Sequence, residues 1–401
     1  MRIENRTIRI VIRAALALVL LSLLALLLIY LLEPEWSPFL EEEADVEETL
    51  IPGEQGFVHH QRSAYLTHLA MDDIGVAPLP APYSPGWRTG IGIPDLDPMW
   101  FKWPAPRPGW YLNWSTNRVE QRRFFGLWRT VHMALPDEDL GMEFVPMVRI
   151  RRNRLLPRAT DLRRMAAQNP GRTWLIGNEP DVRWQDNVRP ERYAELYYDA
   201  YTAIKRGDPT AQVAIGGLSQ ITPLRLVYLD RVWAAYQAEY GEPMPVDVWN
   251  MHAFVLREER GNWGVGMPPG FTTEQLGMLW DIDDHADLRL VEEQIRRLRQ
   301  WMAEHDQQAK PLWITEYGIL MPESYGFPPA VVQDFMLGSF ELFDSLRDPQ
   351  LGYAADENRL VQRWVWFSTL YNPYPAGNLF NISGRPKVLM RAWSEYLAER
   401  E

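Results

Sequence analysis

The sequence predicts an α/β fold: a (β/α)₈ TIM barrel preceded by one transmembrane helix and an acidic linker. Three observations carry that expectation. Eight short apolar runs alternate with amphipathic helical stretches, the pattern of βα units around a parallel sheet. A chain of 401 residues with 46% apolar content can bury one large core, and such barrels take about 250 residues plus insertions. One uncharged apolar run stands at the N-terminus, outside the alternating pattern.

That run, Ala14 to Leu32, has 19 residues, and at 1.5 Å per residue a helix of this length spans roughly 30 Å, the thickness of a bilayer core. A cleavable signal peptide would have a shorter apolar region and small residues at its end, whereas this one ends Leu31-Leu32-Glu33-Pro34-Glu35-Trp36. An uncleaved anchor is expected. Arg2, Arg6, Arg9 and Arg13 precede it, while Glu33 to Glu48 holds eight acidic and no basic residues, so the positive-inside rule makes residues 1–13 cytoplasmic and the rest extracytoplasmic. The localisation expected is a single-pass membrane protein with its large domain outside. Residues 33–52 read as a solvated acidic linker, and residues 53–85 as an extension packing on the barrel, helical from His59 to Asp73 and then proline-rich.

The barrel domain is expected over residues 86–401. Its strands are read at Arg88 to Ile93, Gly109 to Trp114, Glu143 to Arg149, Thr173 to Gly177, Gln212 to Gly216, Val246 to Met251, Pro311 to Thr315 and Gln362 to Phe367. Helices are read at Arg158 to Gln168, Pro190 to Lys205, Pro223 to Tyr240, Leu288 to His305, Pro329 to Ser345 and Lys387 to Arg400. The first crossover, Asp95 to Pro108, is too rich in Pro and Trp for a normal helix, so either a loop replaces it or the first strand lies elsewhere.

Composition removes several functions. A net charge of −12 with scattered arginines argues against nucleic acid as a partner, since a phosphate backbone needs a basic stripe. The absence of cysteine excludes thiol catalysis, disulfides and iron–sulfur clusters. The seven histidines show no His-x-His or His-Glu-x-x-His spacing, and there is no Gly-rich phosphate loop and no Gly-x-Ser-x-Gly elbow, so no metal and no cofactor are expected.

Residues that close barrel strands sit at the face where such folds carry their sites. Two of these are glutamates. In Thr173-Trp174-Leu175-Ile176-Gly177-Asn178-Glu179-Pro180-Asp181 an apolar strand ends in Asn-Glu, and Pro180 removes the donor needed to continue pairing. In Pro311-Leu312-Trp313-Ile314-Thr315-Glu316-Tyr317-Gly318, Glu316 occupies the equivalent place on the seventh strand.

With these motifs the chain resembles clan A of the glycoside hydrolases, and most of all the glycosyl hydrolase catalytic core family that includes endo-β-1,3-glucanases. The resemblance covers roughly Gly86 to the C-terminus. Besides Asn178-Glu179-Pro180-Asp181 and Trp313-Ile314-Thr315-Glu316, it is carried by Trp110-Tyr111-Leu112-Asn113-Trp114, Glu143-Phe144-Val145-Pro146-Met147 and Asp247-Val248-Trp249-Asn250-Met251-His252. It implies a retaining hydrolase of a β-linked oligo- or polysaccharide, with Glu179 as acid/base and Glu316 as nucleophile, their carboxyls about 5–5.5 Å apart. It also implies that Asn178 binds the hydroxyl next to the reacting carbon. His252 would orient the nucleophile or a hydroxyl, although Ala253-Phe254 follows it where related enzymes often show His-x-Tyr. Tyr317 or another residue is the expected substitute for that missing tyrosine.

Flat apolar rings suit the C–H face of a pyranose, and the chain holds 18 Trp and 17 Tyr. Trp114 and Asn113 at the end of the second strand, and Trp364 on the eighth, are the further candidates for substrate contact. Trp364 and Trp366 share one strand face, either the barrel interior or the helix layer. Trp100 and Trp103 either wall a cleft or pack onto the first loop. Arg149, Arg151, Arg152 and Arg154 form either a basic rim for an anionic polysaccharide or a solvated loop face. The expected partners are thus a glycan and, through residues 14–32, a lipid bilayer. The alternative function is a non-catalytic carbohydrate-binding barrel at the cell surface.

Overall fold

The computed structural model describes residues 79–400 apart from 95, 118, 125–126, 133–139 and 272–276. The expected anchor, the acidic linker and residues 53–78 lie outside the described residues. Among the described residues no helix is long and apolar enough to cross a membrane.

The strands are β1 (Thr89–Gly92), β2 (Trp110–Leu112), β3 (Val119–Phe124), β4 (Leu127–His132), β5 (Glu143–Phe144), β6 (Met147–Arg151), β7 (Arg154–Leu156), β8 (Thr173–Asn178), β9 (Gln212–Gly217), β10 (Trp249–His252), β11 (Leu312–Tyr317) and β12 (Arg363–Trp366). The helices are α1 (Pro85–Arg88), α2 (Ala159–Gln168), α3 (Pro190–Gly207), α4 (Pro223–Tyr240), α5 (Leu288–Glu304), α6 (Pro329–Ser345) and α7 (Val388–Ala398). Six strands form one parallel sheet in the order β10-β11-β12-β1-β2-β5. The run containing β5 continues through Val145-Pro146 into β6, which pairs parallel with β8, and β8 pairs with β9. Parallel bridges Ala214↔Val248 and Leu218↔Met251 join β9 to the run that contains β10. The pairings therefore return to where they began, through eight parallel segments: a TIM-barrel-like α/β fold.

Local chemistry explains the outer elements. Helix α3 starts on Pro190 with Glu191 in its first turn and ends on Lys205 and Arg206, matching charge to the helix dipole. The hydroxyl of Thr222 caps α4 by accepting from Arg225 N, and Gly241 at φ 72° ends that helix. Alternation along the strands makes two apolar layers. Trp110, Val145, Met147, Leu175, Ala214 and Val365 meet inside the barrel, while Trp174, Ile176, Ile314 and Trp364 join the larger core under the helices.

Two crossovers depart from the βα pattern. Between β1 and β2 the chain makes a loop with one 3₁₀ turn, Pro98–Trp100, so the first strand stands where expected and its helix is replaced. Between β2 and β5 lies the antiparallel hairpin of β3 and β4, which is not among the expected elements. Observed boundaries otherwise differ from the expected ones by a few residues, the usual latitude of element ends.

Candidate active site

The end of β8 is held by unusual backbone. Glu179 takes φ 43°, a left-handed conformation that costs a non-glycine residue about 1–3 kcal/mol and persists only where its surroundings enforce it. Those surroundings are polar. Glu179 N donates to Gly217 O at 3.0 Å, Asp186 N closes the following loop onto Asn178 O, and Val188 N donates to Pro180 O at 2.8 Å. The carboxylate of Asp186 accepts from Asn178 N, Ile150 N and Arg149 Nε at 2.8, 2.9 and 2.8 Å. Asn178 Nδ2 donates to Gln185 Oε1 at 3.2 Å, and Arg149 Nη2 donates to the same oxygen.

Glu316 reaches the mouth by a different device. Strict alternation would send it outward with Leu312 and Ile314, but the pairing of β11 slips where it meets β10 and β12, between Met251 and His252 and between Ile314 and Tyr317. Glu316 turns inward and Tyr317 outward. Trp114, at φ 54° just past β2, donates its indole N–H to Glu316 Oε2 at 2.9 Å. Its ring edge packs on Phe367 at 5.5 Å, and a Cβ at Gly92 would stand 2.6 Å from it, so glycine is required there.

His252, fully buried at the end of β10, joins the two carboxylates. Its Nδ1 lies 2.9 Å from Glu179 Oε1 and 3.8 Å from Glu316 Oε2. One oxygen of each carboxylate and one histidine nitrogen all lie within 4.8 Å of one another. Gly217 makes room for the imidazole, since a Cβ there would come 2.5 Å from its ring. Glu179 is 6% and Glu316 8% exposed, so both are nearly out of water. Burial pushes the Glu316 carboxyl up to about 7; Glu179 pushes the same way, and His252, the Trp114 N–H and Arg149 pull back. Burial alone would lower the imidazole, but the adjacent Glu316 and Glu179 outweigh it and raise His252 above its ordinary value. The arrangement can hold a proton between two carboxyls and donate it, and the same three side chains could close on a divalent cation.

No protein-family model matches the chain, and no curated protein does. Among solved structures the chain is similar to a GH128 subgroup II endo-β-1,3-glucanase from Pseudomonas viridiflava, at 19% identity and a TM-score of 0.51, over 77% of this chain and 96% of that one. The two share a fold. A GH128 subgroup II endo-β-1,3-glucanase from Sorangium cellulosum aligns at 17% identity and a TM-score of 0.49, over 77% and 97% of the two chains.

Of the residues predicted from sequence, the structure brings Glu179, Glu316, Asn178, His252 and Trp114 to one mouth. Asn113 lies beside them but is committed to its own loop: Nδ2 donates to Asn117 O and Oδ1 accepts from Ser115 N. Two expectations are corrected. Tyr317 faces the helix layer, where its hydroxyl accepts from Ser339 and its ring packs on Phe343 and Trp366, so it does not replace the missing tyrosine. Trp364 points the same way and packs on Phe340 and Phe343, because the inward positions of β12 are Arg363 and Val365. Trp103 packs on Phe101 and Phe380, and Arg149 is a buried support, unlike the exposed Arg151, Arg152 and Arg154.

Sequence reasoning missed a buried ion cluster beneath the mouth. Arg225, on α4 and 0% exposed, donates from Nε to Asp181 Oδ2 at 2.6 Å and from Nη1 to Glu258. Asp181 also accepts from the backbone and hydroxyl of Ser219, and Glu258 from the Thr222 hydroxyl and Met278 N. Three mouth loops, after β8, β9 and β10, are thereby tied to one guanidinium. The only signal in the sequence was Asp181 inside the Asn-Glu-Pro-Asp motif.

Proposed function

We propose that the chain is a retaining glycoside hydrolase of a β-linked glucan, with Glu179 as acid/base and Glu316 as nucleophile. The observation that carries this reading is the approach of the two carboxylates: an oxygen of each lies within 4.8 Å of the other and of a histidine nitrogen, at the C-terminal ends of three barrel strands. Such closeness favours double displacement, where carboxyls stand about 5–5.5 Å apart, over inversion, where they stand about 6.5–9.5 Å apart to admit a water. Glu316 would attack the anomeric carbon while Glu179 donates its proton to the departing oxygen, breaking the glycosidic bond. Glu179 would then take a proton from water, which displaces Glu316 and restores the site.

The Trp114 indole gives Glu316 the hydrogen bond that a tyrosine after His252 would have supplied, so Phe254 is no obstacle to this chemistry. The glucan is suggested by the fold shared with an endo-β-1,3-glucanase. We further propose an extracytoplasmic site tethered through residues 14–32, supported by the apolar length of that run and the arginines before it.

Glu316→Ala and Glu179→Ala should each abolish hydrolysis of β-1,3-glucan. With an activated aryl β-glucoside, whose leaving group needs no acid, azide should rescue them to opposite glycosyl azide anomers, α from the nucleophile variant and β from the acid/base variant. Full hydrolysis by either variant refutes the assignment. Protease added to intact cells should cleave the barrel domain if the tether runs as proposed.

A further inference from the structure

Among the described residues one tryptophan is exposed. Trp184 is 58% exposed, five residues beyond Glu179, on the loop that follows β8. An isolated apolar side chain on a surface is ordinary, but this one is mounted as few are. Its loop is pinned at every turn: Val182 N donates to Glu179 O, Gln185 N to Val182 O, Asp186 N to Asn178 O and Val188 N to Pro180 O, at 2.8–3.3 Å. Val182 and Val188 are buried beneath it, and the Asp186 carboxylate is saturated by three donors. The Arg183 guanidinium lies over the indole at 4.5 Å from the ring centroid and steadies it. Because Asp186 N bonds to Asn178 O, the Cα of Trp184 can be no more than about 15 Å from that of Asn178, within the length of a few sugar rings.

A flat ring held rigidly beside a polar cleft binds the C–H face of a pyranose at little entropic cost. Which part of the substrate it meets follows from the acid. A general acid stands on the side of the departing oxygen, so the loop that carries Glu179 outward borders the leaving-group end of the chain. The donor end lies on the opposite wall, where Trp114 meets Glu316 and packs on Phe367, and Phe367 in turn meets Tyr371 at 5.4 Å. We propose that Trp184 is a binding platform for the leaving-group portion of a neutral β-1,3-glucan. The inference rests on the hydrolase reading for its orientation.

Two measurements test it separately from that reading. In Glu316→Gln, calorimetric titration with laminarihexaose should show affinity falling about five- to tenfold when Trp184→Ala is added, and mostly restored by Trp184→Phe. In the active chain, Trp184→Ala should lower kcat/KM for laminarihexaose about five- to tenfold more than for an aryl β-laminaribioside, whose leaving group is too small to reach the platform. Its melting midpoint should not move, because the ring is exposed. The inference is overturned if the double variant binds laminarihexaose as Glu316→Gln does, if neither binds it, or if both substrates lose equally. A chain that cleaves neither substrate yet loses affinity with Trp184→Ala refutes the hydrolase reading and with it the leaving-group assignment, while Trp184 stands as a glucan contact.

Discussion

Replacing Trp114 by Phe removes the indole donor to Glu316 and keeps an aromatic ring beside Phe367, though not the outer edge of the indole that lies over Gly92. A hydrogen bond to a charged group is worth about 1.5–3 kcal/mol, and each 1.36 kcal/mol of preference for the ionised form is about one pH unit. Trp114 is half-buried, so water replaces part of what is lost, and the lower end, about one unit, is the expected shift. The sign follows from the donor: the indole N–H favours the carboxylate, so its loss raises the Glu316 pKa from about 7 to about 8. At pH 7 the ionised fraction falls from about half to about a tenth, and kcat/KM with it by about fivefold, so the acid limb of the profile moves up by about one unit. The assay is the pH profile of kcat/KM on a β-1,3-glucan for wild type and Trp114→Phe. A variant that loses activity equally at all pH values, or keeps the acid limb of the wild type, would refute the claim that this bond sets the ionisation of Glu316.

Arg225→Met should leave Asp181 and Glu258 buried with no cationic partner and cost about 3–5 kcal/mol, read as a lowered denaturation midpoint, with kcat falling more than KM rises as the three loops loosen. Burial lowers His285 from 6.5 to about 4, its Nδ1 and Nε2 being engaged by Val255 O and Leu320 N. Because the unfolded chain binds this proton first, the contribution is fully present above about pH 6.5 and is lost as pH falls towards 4, by on the order of 3 kcal/mol; Glu316 acts oppositely, so the test is the difference between wild type and His285→Gln in unfolding free energy across that window. Dialysis against a chelator should leave hydrolysis intact while added zinc inhibits it by bridging Glu179, His252 and Glu316, and loss of activity on chelation would mean that the triad is a metal site.

The barrel was legible because its evidence is periodic and local. Buried strands such as Leu312 to Thr315 read as apolar runs, and helices such as Pro190 to Gly207 carry their caps and charges in the chain itself. Glu179 was legible for the same reason, being fixed by the strand it ends and the proline after it. Side-chain direction at strand ends was not. Tyr317 was read as facing the site because strand parity beyond Thr315 is decided by a register slip, a property of β11 together with its neighbours. The donor to Glu316 was hidden more deeply: Trp114 is 202 positions away in sequence, and nothing in its own motif says that its nitrogen faces a carboxylate. Arg225 illustrates the extreme case, since it sits in an ordinary helical stretch and only the closed fold brings Asp181 and Glu258 to it.

The two carboxylates are held by opposite physics, and this bears on how the proposed roles divide. Around Glu179 the chain spends backbone strain and a polar frame, Asp186 with Arg149 and Asn178, to fix position. Around Glu316 there is mostly burial, which raises its pKa in the resting site, the reverse of what a nucleophile needs. The contradiction dissolves at the transition state. A sugar losing its leaving group develops positive charge at the anomeric carbon, directly against whichever carboxylate attacks it, and in a poorly solvated site that charge favours the anion far more than it would in water. An anion destabilised before substrate binds and stabilised as the bond breaks is differential binding in its simplest form. His252, in reach of both carboxylates, is the group that can carry the displaced proton between these states, so its removal should change the shape of the pH profile and not merely its height.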